Sequence, residues 1–191
     1  MRSTIRVASL LFIGLLMTGC ASTQMNPIPK DQLITKPEPG KALIYFVRPS
    51  SFGGAIQAPL FDDEQYIGTS SANTIVPYQA MPGAHMFMVM GESADFLQAE
   101  LLADKTYYAE VTPRLGAWKA RFSLRPQNGQ IPDKEVRGWM TSSKQVKANE
   151  KGFAWAKQNT GSIKKLKQEY LPKWQSKNDS DKQILRAESG K

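Results

Sequence analysis

Apolar positions along the chain recur in two rhythms. Between Lys41 and Pro126 they come in period-two runs or solid apolar blocks, separated by turn residues. Residues 42–48 (ALIYFVR) are apolar on both faces, as a strand covered on both sides would be. Residues 58–68 (APLFDDEQYIG) read as two short strands around an acidic turn. Residues 74–80 (TIVPYQA) read as a strand that Pro77 places at an edge or a bulge. A Pro82-Gly83 turn opens the next strand, and residues 95–113 are two strands joined at Ala103-Asp104-Lys105. Residues 117–125 alternate, with Trp118, Ala120, Phe122 and Leu124 on one face and Lys119, Arg121, Ser123 and Arg125 on the other. This pattern predicts a mainly β fold, a seven- to eight-stranded antiparallel β-sandwich over residues 41–126.

After a linker (PQNGQIPD) helix formers dominate. Ile163, Leu166, Tyr170 and Trp174 fall on one helical face, which predicts packing on the β domain while lysines face water. Gly161 separates this helix from an earlier one around residues 146–159, and Pro172 predicts a kink or an end near Tyr170. Residues 132–175 thus read as a basic helical appendage and residues 176–191 as a disordered tail.

The N-terminus has a different logic. Arg2 and Arg6 precede an apolar run, Val7 to Met17, and small residues follow it. This is the layout of a secretory signal peptide, and the run is roughly half the length a membrane-spanning helix needs. Residues 21–40 hold four prolines and no periodicity, so residues 20–40 read as a Pro-rich tether.

Charge divides along the same lines. Residues 30–131 carry 9 Lys and Arg against 10 Asp and Glu, whereas residues 132–191 carry 14 against 7. The basicity therefore belongs to the C-terminal third and not to the strand region. Lysines there, with Trp139, Trp155 and Trp174 among them, suit an anionic surface.

Two resemblances add to this. Met17-Thr18-Gly19-Cys20 resembles a bacterial lipobox, with Met17 where Leu is usual. That implies cleavage between Gly19 and Cys20, a palmitate-type lipid on Cys20, and residues 1–19 as the signal peptide. Ala21 after the cysteine resembles the Gram-negative pattern for the outer membrane. Cys20 is the only cysteine, so its lipidation would leave no thiol for a disulfide, a nucleophile or a metal.

The strand region, over roughly residues 40–125, is similar to small bacterial envelope lipoproteins of uncharacterised function with a PEGA-like or carboxypeptidase-regulatory-like β-sandwich. The matching pieces are GKALIYFVRPSSFGG, LFDDEQYIGTSS, PYQAMPGAHMF and LLADKTYYAEV, in that order. Two turns depart from the pattern, because Asp62-Asp63-Glu64 stands where Asp-Gly is common and Asp104 where Gly is common. The resemblance implies an envelope protein without established catalytic residues.

Candidate chemistry is sparse. His85 is the only histidine and follows a Pro-Gly turn with no second His or Cys nearby, and the resemblance implies a turn-stabilising role for it. The acids 62–64 lack the spaced ligands of a calcium loop. Ser50-Ser51-Phe52-Gly53-Gly54 lacks the spacing of a nucleophile elbow or a phosphate loop. Lys119, Arg121 and Arg125 on the strand, and Lys164, Lys165 and Lys167 on the helix, are the expected contacts to an anionic partner.

The expectation is a non-enzymatic interaction or scaffold module held at the outer membrane through Cys20, without cofactor or metal. Its partner would be an envelope protein, peptidoglycan or anionic lipid, and not nucleic acid. The alternatives are a glycan- or lipid-binding protein or enzyme of the envelope, and a structural subunit of a secretion or surface assembly.

Overall fold

The structure is a computed structural model, and it describes residues 23–54, 56–114, 120–129 and 131–191. The signal peptide of residues 1–19, the cleavage site at Gly19 and Cys20, and the strand residues Trp118 and Lys119 lie outside the described residues.

Among the described residues, eleven strands form two packed sheets. One sheet contains β1 (Met25–Pro27), β2 (Ala42–Arg48), β5 (Thr74–Ala80), β8 (Thr106–Arg114), β9 (Arg121–Pro126) and β10 (Lys144–Ala148). Its order is β1-β10-β5-β2-β8-β9. The other contains β3 (Ala58–Asp62), β4 (Gln65–Ser70), β6 (Gly83–Met90), β7 (Ala94–Leu101) and β11 (Ile184–Leu185). Its order is β11-β7-β6-β3-β4. The helices are α1 (Asp133–Ser142), α2 (Glu150–Gln158) and α3 (Thr160–Gln175).

The fold is mainly β, but the strand count exceeds seven or eight and the sheets are not purely antiparallel. β2 runs parallel to β8, β10 to β5 and β11 to β7. Each parallel pair joins strands far apart in sequence, so local alternation carries no sign of it.

Three apolar layers explain the sequence pattern. Ala42, Ile44 and Phe46 of β2 face the core between the sheets, with Leu60, Phe87, Leu97 and Phe122. Leu43, Tyr45 and Val47 face outward and are covered by Trp139, Val136 and Met140 of α1. Hence β2 is buried at every position. On the other outer face, Phe61, Tyr66, Met88 and Phe96 are covered by α2 and α3 through Trp155, Ile163, Leu166, Tyr170 and Trp174.

The turns that depart from the resembled pattern still reach the left-handed region. Asp63 has φ 53° and Asp104 has φ 60°. Aspartate tolerates this conformation better than most residues, and both turns are tied down. The Asp63 N–H donates to Met86 O at 2.9 Å, and the Asp104 carboxylate accepts from the Gly40 N–H at 2.9 Å. Pro77 sits beyond the reach of β10, which pairs with β5 only at Thr74 and Ile75. Its missing N–H costs no ladder bond there.

Three sequence expectations need correction. The appendage of residues 132–175 is not helical throughout, because residues 144–148 form β10, inside the six-stranded sheet between β1 and β5, and Gly161 lies within α3 rather than between two helices. Val146 of β10 enters the inter-sheet core. The tether of residues 20–40 is ordered from Thr23 onward. Met25 is buried and its sulfur accepts the Thr69 N–H, and Ile28 N donates to Gln145 O at 2.8 Å. Prolines suit a short edge strand, so a Pro-rich composition did not preclude one. The tail of residues 176–191 is also ordered. Leu185 is fully buried, and the backbone of Lys191 exchanges hydrogen bonds of 2.9 and 3.1 Å with Thr106.

α3 passes through Pro172 and ends at Gln175. Proline removes one backbone bond, but Trp174 is buried just beyond it and Ser176 N donates to Pro172 O at 3.0 Å. Burial of a large aromatic side chain outweighs that single loss.

Candidate functional site

Four polar constellations stand out. The first links the two sheets around His85. Its Nδ1 lies 2.8 Å from Asp62 Oδ2, and its Nε2 lies 2.7 Å from Met81 O. Both partners are acceptors, an arrangement that suits the imidazole with a proton on each ring nitrogen, its charged form. The Tyr78 hydroxyl, from the other sheet, donates to the same Asp62 oxygen at 3.0 Å. The imidazole ring stacks on Phe87 at 5.4 Å. His85 therefore braces a turn, and the polar side chains around it serve to join the sheets.

The hydrogen bond to Asp62 raises the His85 pKa. Burial opposes it, while the Met81 bond and the charges of Asp62 and Glu100 add to it. A raised folded-state value means that the charged imidazole stabilises the fold fully below the unfolded value near 6.5. That contribution is lost as pH climbs through the higher folded value. The stability gap between the native protein and His85→Gln should thus be widest below that unfolded value and narrow on the alkaline side. Urea midpoints measured across this range test it, and a constant gap would mean that the imidazole is neutral.

The second constellation is the acidic turn. Lys167 of α3 pairs with Asp63 and lies 4.0 Å from Glu64, and Lys164 lies 3.4 Å from Glu64. Two lysines expected to meet an external anion are thus engaged by the protein's own hairpin. Lys165, between them, is exposed.

Arg48 forms the third. It is fully buried, and its guanidinium donates to the carbonyls of Ile56 at 2.7 Å, Gly53 at 2.9 Å, Phe52 at 3.2 Å and Ser70 at 3.5 Å. It also sits 5.1 Å above the Phe122 ring. Burial lowers its pKa, yet a guanidinium stays charged. The loop after β2 turns its Phe52, Gly53 and Ile56 carbonyls toward this cation.

The fourth is a groove of about 330 Å³ between the C-terminal half of α3 and the ends of β7, β8 and β9. Arg114 and Arg121 face each other across the β8–β9 ladder. Lys173 and Lys177 come from α3 and its end, with Tyr170 and Trp174 beside them. Lys173 lies 4.4 Å over the Tyr170 ring. The groove's cations are partly answered. Arg121 bonds Glu92 at 2.7 Å, Lys177 lies 3.8 Å from Asp95, and Lys173 lies 3.2 Å from Glu169. Four cations against three carboxylates leave one positive charge in excess.

The groove gathers only Arg121 from the six expected cationic contacts. Arg125 is exposed opposite Glu110 on β9, and Lys119 lies outside the described residues. Tyr170, Lys173, Trp174 and Lys177 follow i, i+3, i+4, i+7 spacing, a stripe visible in the sequence. What no local pattern shows is that this stripe meets Arg114 and Arg121. Among the described residues, no group of three or more His, Cys, Asp and Glu side chains is placed to hold a metal, and no helix is long and apolar enough to cross a membrane.

No protein-family model matches the chain, and no solved structure matches it. An uncharacterised protein of Haemophilus influenzae is 24% identical over 115 residues, which cover 58% of this chain and 68% of the relative. That likeness brings no activity with it.

Proposed function

We propose that this chain is a lipid-anchored protein of the bacterial cell envelope, held at the outer membrane through Cys20, and that it acts as a non-enzymatic interaction or scaffold module. The observation that carries the interaction role is the groove at Arg114, Arg121, Lys173 and Lys177. Cations from the ends of β8, β9 and α3 meet there beside Tyr170 and Trp174 and leave an excess of positive charge. Such a groove suits a carboxylate or phosphate on an envelope protein, on peptidoglycan or on an anionic lipid. The Met17–Cys20 stretch supports the anchor, and the two packed sheets serve as a rigid scaffold of β-sandwich type. The His85 network supports a scaffold reading too, since its polar groups brace one another.

Cells fed a labelled palmitate and then crosslinked test both parts. The native chain should take the label, sediment with membranes and yield a crosslinked adduct. Cys20→Ala should lose the label and appear in the soluble fraction. Arg114→Glu with Lys173→Glu should keep the label and lose the adduct by roughly tenfold or more, because like charges facing a partner cost several kcal/mol. An unlabelled native chain would overturn the anchor, and an adduct indifferent to the reversal would overturn the groove.

A further inference from the structure

We infer that the edge formed by β1 and the first turns of α2 is a membrane-docking face, seated on the phospholipid surface that the Cys20 lipid enters. The inference rests on the reading of Cys20 as lipid-modified. It goes further by assigning which face meets the bilayer and which looks away.

The first ground is the shortness of the leash. The chain is fixed from Thr23: the Asn149 side chain donates to Thr23 O at 3.1 Å, and the Asn149 N–H donates to Gln24 O at 3.1 Å. The Thr69 hydroxyl holds the Gln24 side chain at 2.8 Å, and Met25 is buried. Gly152 permits the approach, because a Cβ there would stand 2.6 Å from Gln24 O. Only Ala21 and Ser22 separate Thr23 from Cys20. Three peptide steps span about 11 Å at most, close to the ~8 Å Debye length at physiological salt. A domain so leashed cannot swing freely, and the surface around Thr23 must lie against the interface.

The second ground is what that surface offers. A groove of about 700 Å³ opens there, lined among others by Thr23, Asn26, Lys151 and Phe153. Phe153 is 54% exposed, although its ring packs edge-on against Tyr66 at 5.8 Å. Lys151 is exposed, and so is Lys147, which pairs with Asn26 across the β1–β10 ladder. Glu150 and Lys151 balance each other in the groove's lining, and Lys147 beside it adds one positive charge. An exposed aromatic ring with lysines near it fits the headgroup level of a phospholipid layer. β9, at the opposite edge of the same sheet, stands five strand spacings away, or about 24 Å. The groove at Arg114 and Arg121 would then face away from the membrane, toward partners.

The test uses the full lipidated chain in vesicles of phosphatidylcholine and phosphatidylglycerol. The lipid consumes the only native thiol, so a single new cysteine can carry a nitroxide probe. Probes are placed at Phe153→Cys and at Arg125→Cys on β9, with Lys151→Cys as a second reporter should the Phe153 variant fold poorly. The ratio of oxygen to nickel accessibility should be roughly severalfold higher at positions 153 and 151 than at 125. Equal ratios with the lipid verified on Cys20 by mass spectrometry would overturn the docking face and leave the anchor standing. Absence of the lipid would overturn both. Spin–spin broadening at 153 that grows with protein density would assign the face to a second copy of the chain, and would also overturn the proposal.

Discussion

Replacing Arg48 by Met should destabilise the protein by about 3 kcal/mol. Methionine replaces the aliphatic stem but stops short of the guanidinium, and four carbonyls lose a charged donor. Hydrogen bonds to charged groups contribute about 1.5–3 kcal/mol each, and the loop can recover part of this by turning its carbonyls to water. For a chain of this size the melting temperature should fall by about 6–12 °C. Arg48→Lys should lose most of the same amount. A single ammonium cannot reach Ile56 on one side and Phe52 and Gly53 on the other as a planar fork does. Limited proteolysis should then cut within residues 49–57 before the sheets unfold. A methionine variant as stable as the native chain would show that the loop holds its shape without the cation.

Trp174→Ala should cost about 3–5 kcal/mol, the range for removing a large buried aromatic side chain. Trp174 is 4% exposed, packs beside Phe96 at 6.4 Å, and donates from Nε1 to Gln183 Oε1 at 2.7 Å. Gln183 in turn donates to Asp95 at 2.9 Å, so one indole holds the end of α3, the turn before β11 and the start of β7 together. The last turn of α3 already lacks a backbone bond at Pro172 and would fray without this anchor. Hydrogen exchange should therefore accelerate across residues 172–185 well beyond what the global loss predicts. Trp174→Phe should retain most of the packing and lose the bond to Gln183, for about 1–2 kcal/mol. Denaturant midpoints separate the two variants. Equal losses would place the whole effect in the hydrogen bond.

Most strands were legible because each carries its own pattern. Residues 74–80 form β5, and the runs on either side of the acidic turn form β3 and β4. β10 was hidden for a physical reason. Its five residues, KQVKA, include two lysines and one strongly apolar side chain. Their extended form comes from neighbours, with β1 and β5 on either side, while the Gln145 amide exchanges two 3.0 Å bonds with the Ile34 backbone. β1 and β11, with three and two residues, are too short to show a period of their own. The grooves and clamps were half legible. Arg114 and Arg121 are near neighbours in the sequence, and Lys173 and Lys177 share one helical stripe. Their meeting, like that of Lys164 and Lys167 with the acidic turn, is set by how α3 crosses the five-stranded sheet.

The pairing of β1 with β10 bears on when the domain can close. Met25 finds its partner Ala148 only after nearly all of the intervening chain has been ordered. Contacts of such sequence separation form late, since the entropy of closing the loop must be met before the contact stabilises anything. On the lipid-anchored reading proposed above, the chain would be delivered from its N-terminus, and Cys20 would reach the membrane while residue 148 is still unfolded. The strand next to the anchor would then be among the last to be stitched in. Maturation would end with a slack chain drawn taut, and the distance between domain and bilayer would report whether folding has finished.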